Sequence, residues 1–522
     1  MINIISSLNF IKKEKKSIFL GILLTLLMVA WGWHIYSKRV TDHNYGKVFL
    51  VFSAMLICVF LLVWAFTVIK EIGLHIKFAI ISLVCGSVFI LMIPAMTVPD
   101  EWHHFATAYD ISNEMMGISK SANGTIKYRE NDGDFLSGDV EYSQEVYVDY
   151  LHRLKTDKAN NSYSDSGIEP ISTMKFQYFA PALGITIARL FRMGSLQEFL
   201  LGRLFNLLLW TAIITLAVRI IPIGKEIIFC VALLPISIQE GMSYAYDSIV
   251  ISLMLLNIAM FINLLNKLGE SKKEWYRRFF LYLIVSIIFF CCKGHAYFSF
   301  LIFPLLLEVL RWMKCRQRAL ALEIILIIVM GIVVIFGLLY IHNHTEFFPV
   351  VSHKLLWDET AESYSLSYVL HHPIETIKVL SNTIQRKGFE YIMLGIGALM
   401  GWLNKSLSQG LLVSFLILLL VSTITENGEK SPIHSIERLN LLLVALISSS
   451  CVMVALLIDW TPLGSDVVMG LQGRYFLPAF PCILFALMND RIKIDYSVKR
   501  WIPMIQIVLL FQTVSCYMFG IA

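Results

Sequence analysis

Long stretches dense in Leu, Ile, Val and Phe alternate with short polar connectors along most of this chain. About 20 apolar residues cross a bilayer as a helix, and the runs at 17–36, 48–69 and 78–97 read as three such spans. Lys12, Lys13, Lys15 and Lys16 precede the first run, which lacks a small-residue cleavage site and reads as a retained anchor. Basic residues mark the cytoplasmic side. The N-terminus is therefore expected inside, with the third span leaving the membrane at Pro99-Asp100-Glu101.

Four runs follow a long polar loop (98–175), at 176–193, 199–218, 226–241 and 248–266. The connector after them carries Lys267, Lys272, Lys273, Arg277 and Arg278 and belongs inside, which four full crossings would not allow. The first of the four holds Gln177, Pro181 and Arg189 and is predicted to be re-entrant or juxtamembrane. Spans at 279–292, 296–312 and 320–341 lead to a second polar loop, 342–388. Only one crossing then fits 389–424: 407–424 spans, and the glycine-bearing 389–403 is a partial helix. Spans at 438–458, 474–488 and 501–519 complete about thirteen crossings, with the C-terminus outside. The expected fold is an all-α polytopic membrane protein in three parts. A cytoplasmic tail and two extra helices occupy 1–77. A membrane core at 78–490 carries short helices in outer loops 98–175 and 342–388. A basic loop and last helix occupy 491–522.

Composition agrees. Of 522 residues 57% are hydrophobic and 16% charged, where a soluble chain carries nearer a quarter charged. The formal charge of +5 is thus a matter of orientation, not of nucleic-acid binding. The loop from Asp100 to Lys175 holds fourteen acidic against seven basic residues, which argues against a grip on anionic polymers. Nine cysteines fall almost wholly within apolar runs, so they read as packing residues and not as a disulfide framework or a CxxC zinc site.

Against this background a few polar residues stand out. Asp100, Glu101, His103 and His104 close the third span; ionisable groups beside lipid are costly and mark function by default. A solvated helix cap at Asp100 is the structural alternative. Tyr244, Tyr246 and Asp247 open the sixth span, Lys293 lies between the seventh and eighth, and Gln472, Arg474 and Tyr475 open the twelfth. Lys293 can also snorkel to the interface, Asp247 can cap its helix, and Tyr475 can anchor. Arg203, inside an apolar run and followed by Asn206, must face the protein interior beside a carboxylate. His342, His344, His353, His371 and His372 lack helical metal-site spacing and read as solvated. The topology brings acid, base and cation to one membrane boundary.

Taken together these residues resemble the bacterial membrane-protein family known as domain of unknown function 2142. The resemblance rests on Pro99-Asp100-Glu101 with His104 and Tyr109, on Arg203 with Asn206, and on Pro235 with Ser243-Tyr244-Ala245-Tyr246-Asp247. Lys293 with Tyr297, Gly401-Trp402-Leu403 and Gln472-Gly473-Arg474-Tyr475-Phe476-Leu477-Pro478 complete it. It covers about residues 80–490 and leaves out the first two spans. The family looks like a branch of the GT-C glycosyltransferases, which take sugar from a polyprenyl-phosphate or polyprenyl-diphosphate carrier on the outer face of the membrane.

That resemblance implies a multi-pass enzyme of the bacterial cytoplasmic membrane with its site outside. An acidic residue in the first outer loop, here Asp100 or Glu101, is the implied general base toward a glycan or lipid acceptor. Arg474, with Lys293, is expected to stabilise the leaving phosphate. His103, His104, Arg203, Tyr246, Asp247, Gln472 and Tyr475 are expected to bind substrate. Carboxylates and imidazoles also ligate divalent metals, and a cation clamp can substitute for one; if a metal is used, Asp100, Glu101 and His104 are its expected ligands. A transporter or flippase, which needs charges near the bilayer midplane, and a non-catalytic assembly partner are the competing readings.

Overall fold

The computed structural model describes residues 72–315, 361–426, 431–494 and 499–519, apart from 137, 161, 172 and 173, with residue 355 and scattered positions in 19–61. The two N-terminal spans, the span at 320–341 and His342, His344 and His353 lie outside the described residues. What is described is mostly helical. Among the described residues five helices are long and apolar enough to cross a membrane: α1 (Leu74–Met92), α5 (Ser195–Ile220), α8 (Asp247–Asn266), the first 22 residues of α9 (Lys272–Tyr297) and α14 (Ser435–Trp460). Two shorter apolar helices, α13 (Gln409–Ser422) and α16 (Ile502–Phe519), pack beside each other.

The first polar loop is built, not slack. It holds α2 (Glu101–Met115), α3 (Gln144–Thr156) and an antiparallel pair, β1 (Lys127–Arg129) with β2 (Tyr163–Asp165). Buried Arg129 pairs with Asp132 at 2.8 Å and with Glu198 at the start of α5, and Tyr109 donates to Asp132 at 2.8 Å. The predicted short helices are there, tied to the bundle by this ion cluster.

The segment expected to be re-entrant is a 3-10 turn followed by α4 (Phe179–Leu190). Twelve residues rise about 18 Å, too short to cross. α4 lies closely along α5, and the reason is two glycines. A Cβ on Gly184 would stand 2.6 Å from the Leu201 carbonyl and 2.8 Å from the Gly202 Cα, so small residues set the crossing.

Three expected boundaries move. The run at 226–241 is broken into α6 (Lys225–Ala232) and α7 (Pro235–Met242), because Pro235 cannot continue a helix but starts one well. The runs at 279–292 and 296–312 are two antiparallel arms as expected, but a kink divides them and not a loop: α9 breaks at Lys293 (φ −156°, ψ 47°), and α10 (Ile302–Cys315) runs back along it, placing Arg311 over the rings of Trp275 and Tyr276. The partial helix expected at 389–403 is the end of a longer one, α12 (Pro373–Ile396), preceded by α11 (Leu366–His371). α12 stops at Gly397, whose φ of 127° other residues rarely adopt. A short antiparallel pair follows, β3 (Leu399–Met400) with β4 (Lys405–Ser406). Near the far end of α13, β5 (Ile424–Glu426) pairs in parallel with β6 (Asn489–Ile494), after α15 (Ala479–Leu487). The cysteines described are free, and Cys85, Cys230, Cys482 and Cys516 are buried in the core as predicted.

Candidate functional site

The polar residues singled out in the sequence meet at one end of the bundle. α1 ends there, α2, α5 and α8 begin there, α7 ends there, and the kink of α9 and the turn at Gly473–Phe476 complete the wall.

Asp100 and Glu101 are neighbours with opposite fates. Asp100 follows Pro99 in left-handed backbone (φ 62°, ψ 9°), an unusual state for a residue with a Cβ, and makes no capping bond with its side chain. The helix-cap alternative therefore does not describe it. That backbone turn sends Glu101 inward while the Asp100 side chain stays 53% exposed. Glu101 is wholly buried against wholly buried Arg203. Arg203 Nε donates to Oε1 at 2.9 Å and Nη2 to Oε2 at 2.6 Å, while Nη1 donates to the Ile93 carbonyl and Nη2 also to that of Pro94. Backbone N–H groups of Met96 and Tyr244 also donate to Glu101. Such a fully bonded pair fixes where α1 ends and leaves Glu101 no free lone pair aimed at a substrate.

Arg474 is buried at the centre of three carboxylates. Nη1 reaches Glu240 at 3.3 Å, Nη2 reaches Asp100 at 3.3 Å, and Nε lies 3.8 Å from Asp247. Asp247 also takes Lys293 Nζ at 2.9 Å. Lys293 sits over Tyr246 and Tyr475, 4.9 and 5.1 Å from the ring centroids, so it is held in the protein and does not snorkel. The α9 kink at Lys293 is what turns it inward. Tyr297 holds the Tyr475 carbonyl at 3.0 Å. Asp100, Glu101, Glu240 and Asp247 thus face Arg203, Arg474 and Lys293, four carboxylates against three cations.

His104 bonds Tyr178 through Nδ1 at 2.7 Å and meets Tyr246 edge-on. Burial holds its pKa down to about 4, so the ring is neutral at physiological pH and acts as a hydrogen-bonding group, not as a cation. His103 stacks on Trp102 at 3.4 Å. The metal set Asp100, Glu101 and His104 is not brought together: Glu101 turns to Arg203 and His104 to Tyr178. Among the described residues no three His, Cys, Asp or Glu side chains are grouped to hold an ion.

Beside Arg474 lies a cavity of ≈ 160 Å³ between Pro99, Gln239, Glu240 and Gln472, floored by leucines. Gln239 bonds the Gly401 N–H through Oε1 at 2.8 Å, but among the described residues its Nε2 and the Gln472 Oε1 have no partner. The cavity wall therefore offers one donor and one acceptor over an apolar floor, the pattern a sugar's hydroxyls and ring face would meet. Gly473 lets this wall approach α12: a Cβ there would stand 2.2 Å from the Leu394 carbonyl carbon and 2.3 Å from the Gly395 nitrogen. Backbone cannot yield as a side-chain tip can. Gly473→Ala is expected to cost at least about 1–3 kcal/mol and to displace Arg474; a lower melting temperature with reduced function would show it, and an unchanged one would refute the tight approach.

Glu240, Gln239, Tyr178 and Asp139 were not singled out in the sequence. Asp139, from the first polar loop, accepts from the Asp100 backbone N–H, and burial followed by the Asp100 charge pushes its pKa up to about 7. A raised carboxyl pKa favours the protonated fold. This stability is full below the unfolded value near 4 and is lost as pH rises through about 7. Relative to Asp139→Asn, which does not titrate, the wild type should melt lower at pH 8 than it does at pH 5. A gap in melting temperature that stays constant over that range would rule the effect out.

A helical membrane protein with a buried charge cluster at one end of its bundle is the class these observations define. The chain belongs to the family described as predicted membrane protein (DUF2142), which matches residues 83–483. Every cluster residue lies within that match. No curated protein and no solved structure is significantly similar to the chain.

Proposed function

We propose that this protein is a membrane glycosyltransferase of GT-C-like architecture, with about thirteen crossings and the charge cluster at the outer face of the bacterial cytoplasmic membrane. The observation that carries the reading is the half-exposed carboxylate of Asp100 at the mouth of a buried Arg–Lys–carboxylate cluster. The donor is a polyprenyl-phosphate-linked sugar and the acceptor a glycan or lipid hydroxyl. Asp100 takes the acceptor proton. The oxygen attacks the anomeric carbon, the bond from that carbon to the phosphate oxygen breaks, and the carrier phosphate leaves with the electron pair.

The cluster's excess of carboxylate over cation bears on how a phosphate enters. Of the three Arg474 contacts, only that to Asp100 reaches a half-exposed partner. Arg474 exchanges it for the phosphate, which frees the Asp100 carboxylate to act as base. Lys293 stays with Asp247 and adds positive potential to the same site. The sugar occupies the cavity between Gln239 and Gln472. The charges gather at one end of the helices and not midway along them, which favours the enzyme over a transporter.

The test is sugar transfer by the purified full chain against a panel of polyprenyl-phosphate and polyprenyl-diphosphate sugars, read as release of the carrier phosphate. Release dependent on acceptor supports the enzyme. No release with any donor, together with movement of lipid-linked sugar across proteoliposomes, would replace it with the transporter.

A further inference from the structure

At the other end of the bundle a second, larger cavity of ≈ 510 Å³ is lined, among the described residues, by Lys77, Lys225, Lys499 and Arg500 against two carboxylates, Glu226 and Glu426. α1 begins at this cavity and ends at the cluster described above; its 19 residues put the two about 28 Å apart. Lys499 is buried and holds Glu226 at 3.3 Å. Lys77 and Arg500 repel each other across the space. Among the described residues, neither they nor Lys225 pair with a carboxylate. Half-buried lysines facing a cavity are not dispersed into bulk water as snorkelling side chains are.

The backbone adds to the same field. α1 starts after Gly73, α6 starts after Gly224 and α16 has Pro503 in its first turn, and all three starts border the cavity. Helix N-termini present unpaired N–H groups and the positive end of the helix dipole. Three of them with four cations form a pocket whose missing component is an anion. Its volume corresponds to roughly seventeen waters at ~30 Å³ each, more than a simple halide needs. Lys267 after α8 and Lys272, Lys273, Arg277 and Arg278 in the first two turns of α9 lie at this same end, with Glu270 and Glu274 beside three of them; basic pockets between helices at such an end meet anionic headgroups.

We propose that this pocket binds a phosphate group, either the headgroup phosphate of an anionic phospholipid or a free phosphate. It is a second site, independent of the sugar-transfer reading. The full chain is purified in detergent and titrated with phosphatidylglycerol and with phosphatidylcholine by native mass spectrometry, and separately with inorganic phosphate by melting temperature. The variants are Lys77→Gln with Arg500→Gln, and Lys225→Gln alone should the double variant express poorly. Without a probe the double variant should melt no lower than the wild type, since the repulsion between its two cations is gone.

If the source is lipid, phosphatidylglycerol binds the wild type at least about tenfold more tightly than phosphatidylcholine, at around 1 kcal/mol per basic residue, and the variants lose that preference. If the source is free phosphate, the lipids bind alike and millimolar phosphate raises the melting temperature of the wild type but not of the variants. Equal behaviour of wild type and variants toward both probes overturns the site.

Discussion

Asp100→Asn is expected to lower sugar transfer by about 10²–10⁴, the usual contribution of a general base, while the protein keeps its melting temperature. The change is nearly isosteric, and a half-exposed side chain can find water for what it loses. Glu101→Gln should behave in the opposite way. Its partner Arg203 would stay buried without a counter-charge, a loss of about 3–5 kcal/mol, so the expected result is loss of folded protein. The two variants are compared by yield of monodisperse protein, melting temperature and turnover of one lipid-linked donor. Full turnover by Asp100→Asn would remove it as the base. A stable, inactive Glu101→Gln would return the base to Glu101 and contradict the reading of its ion pair as structural. Sequence alone treats the two carboxylates alike; the left-handed backbone at Asp100 is what separates them.

The helices were legible because their signal is long. A stretch such as Ser195–Ile220 differs from its predicted span by a few residues at each end, since apolar content over twenty residues outweighs any local choice. Breaks and kinks were not legible in the same way. Pro235 was visible, yet the run around it is apolar enough to read as one helix, whereas the break at Lys293 falls where Lys293, Gly294 and His295 interrupt two apolar runs. In the site, the charged residues found were those that interrupt apolar sequence, most of them at a span end and Arg203 within a run. Glu240 carried a signal like that of Arg203, a charge in an apolar run, and could have been found by it. Asp139 could not, being one of fourteen acidic residues in its loop with no pattern to set it apart. The Arg129 cluster was equally hidden, because it joins residues 69 positions apart that only the folded loop brings together.

Arg474 is where a phosphate clamp and a structural counter-ion make the most different demands. Buried Glu240 and Asp247 both depend on its charge. Arg474→Gln is therefore expected to lose about 3–5 kcal/mol of stability as well as activity, and inactivity of that variant alone would say nothing about phosphate. The combination Arg474→Gln with Glu240→Gln removes one charge of each sign and should recover much of the melting temperature. If Arg474 only balances carboxylates, turnover recovers with it. If it takes the carrier phosphate, turnover stays low, because no planar fork remains to meet the developing charge. Arg474→Lys closes the argument from the other side: the charge is kept, Glu240 stays paired, and stability should fall far less. A lysine cannot hold Glu240 and present a second donor pair to phosphate at the same time. The expected order of turnover is arginine well above lysine, and lysine above the stabilised glutamine pair. Equal turnover for arginine and lysine, or activity restored in the double variant, would assign Arg474 to the fold and leave Lys293 to meet the phosphate.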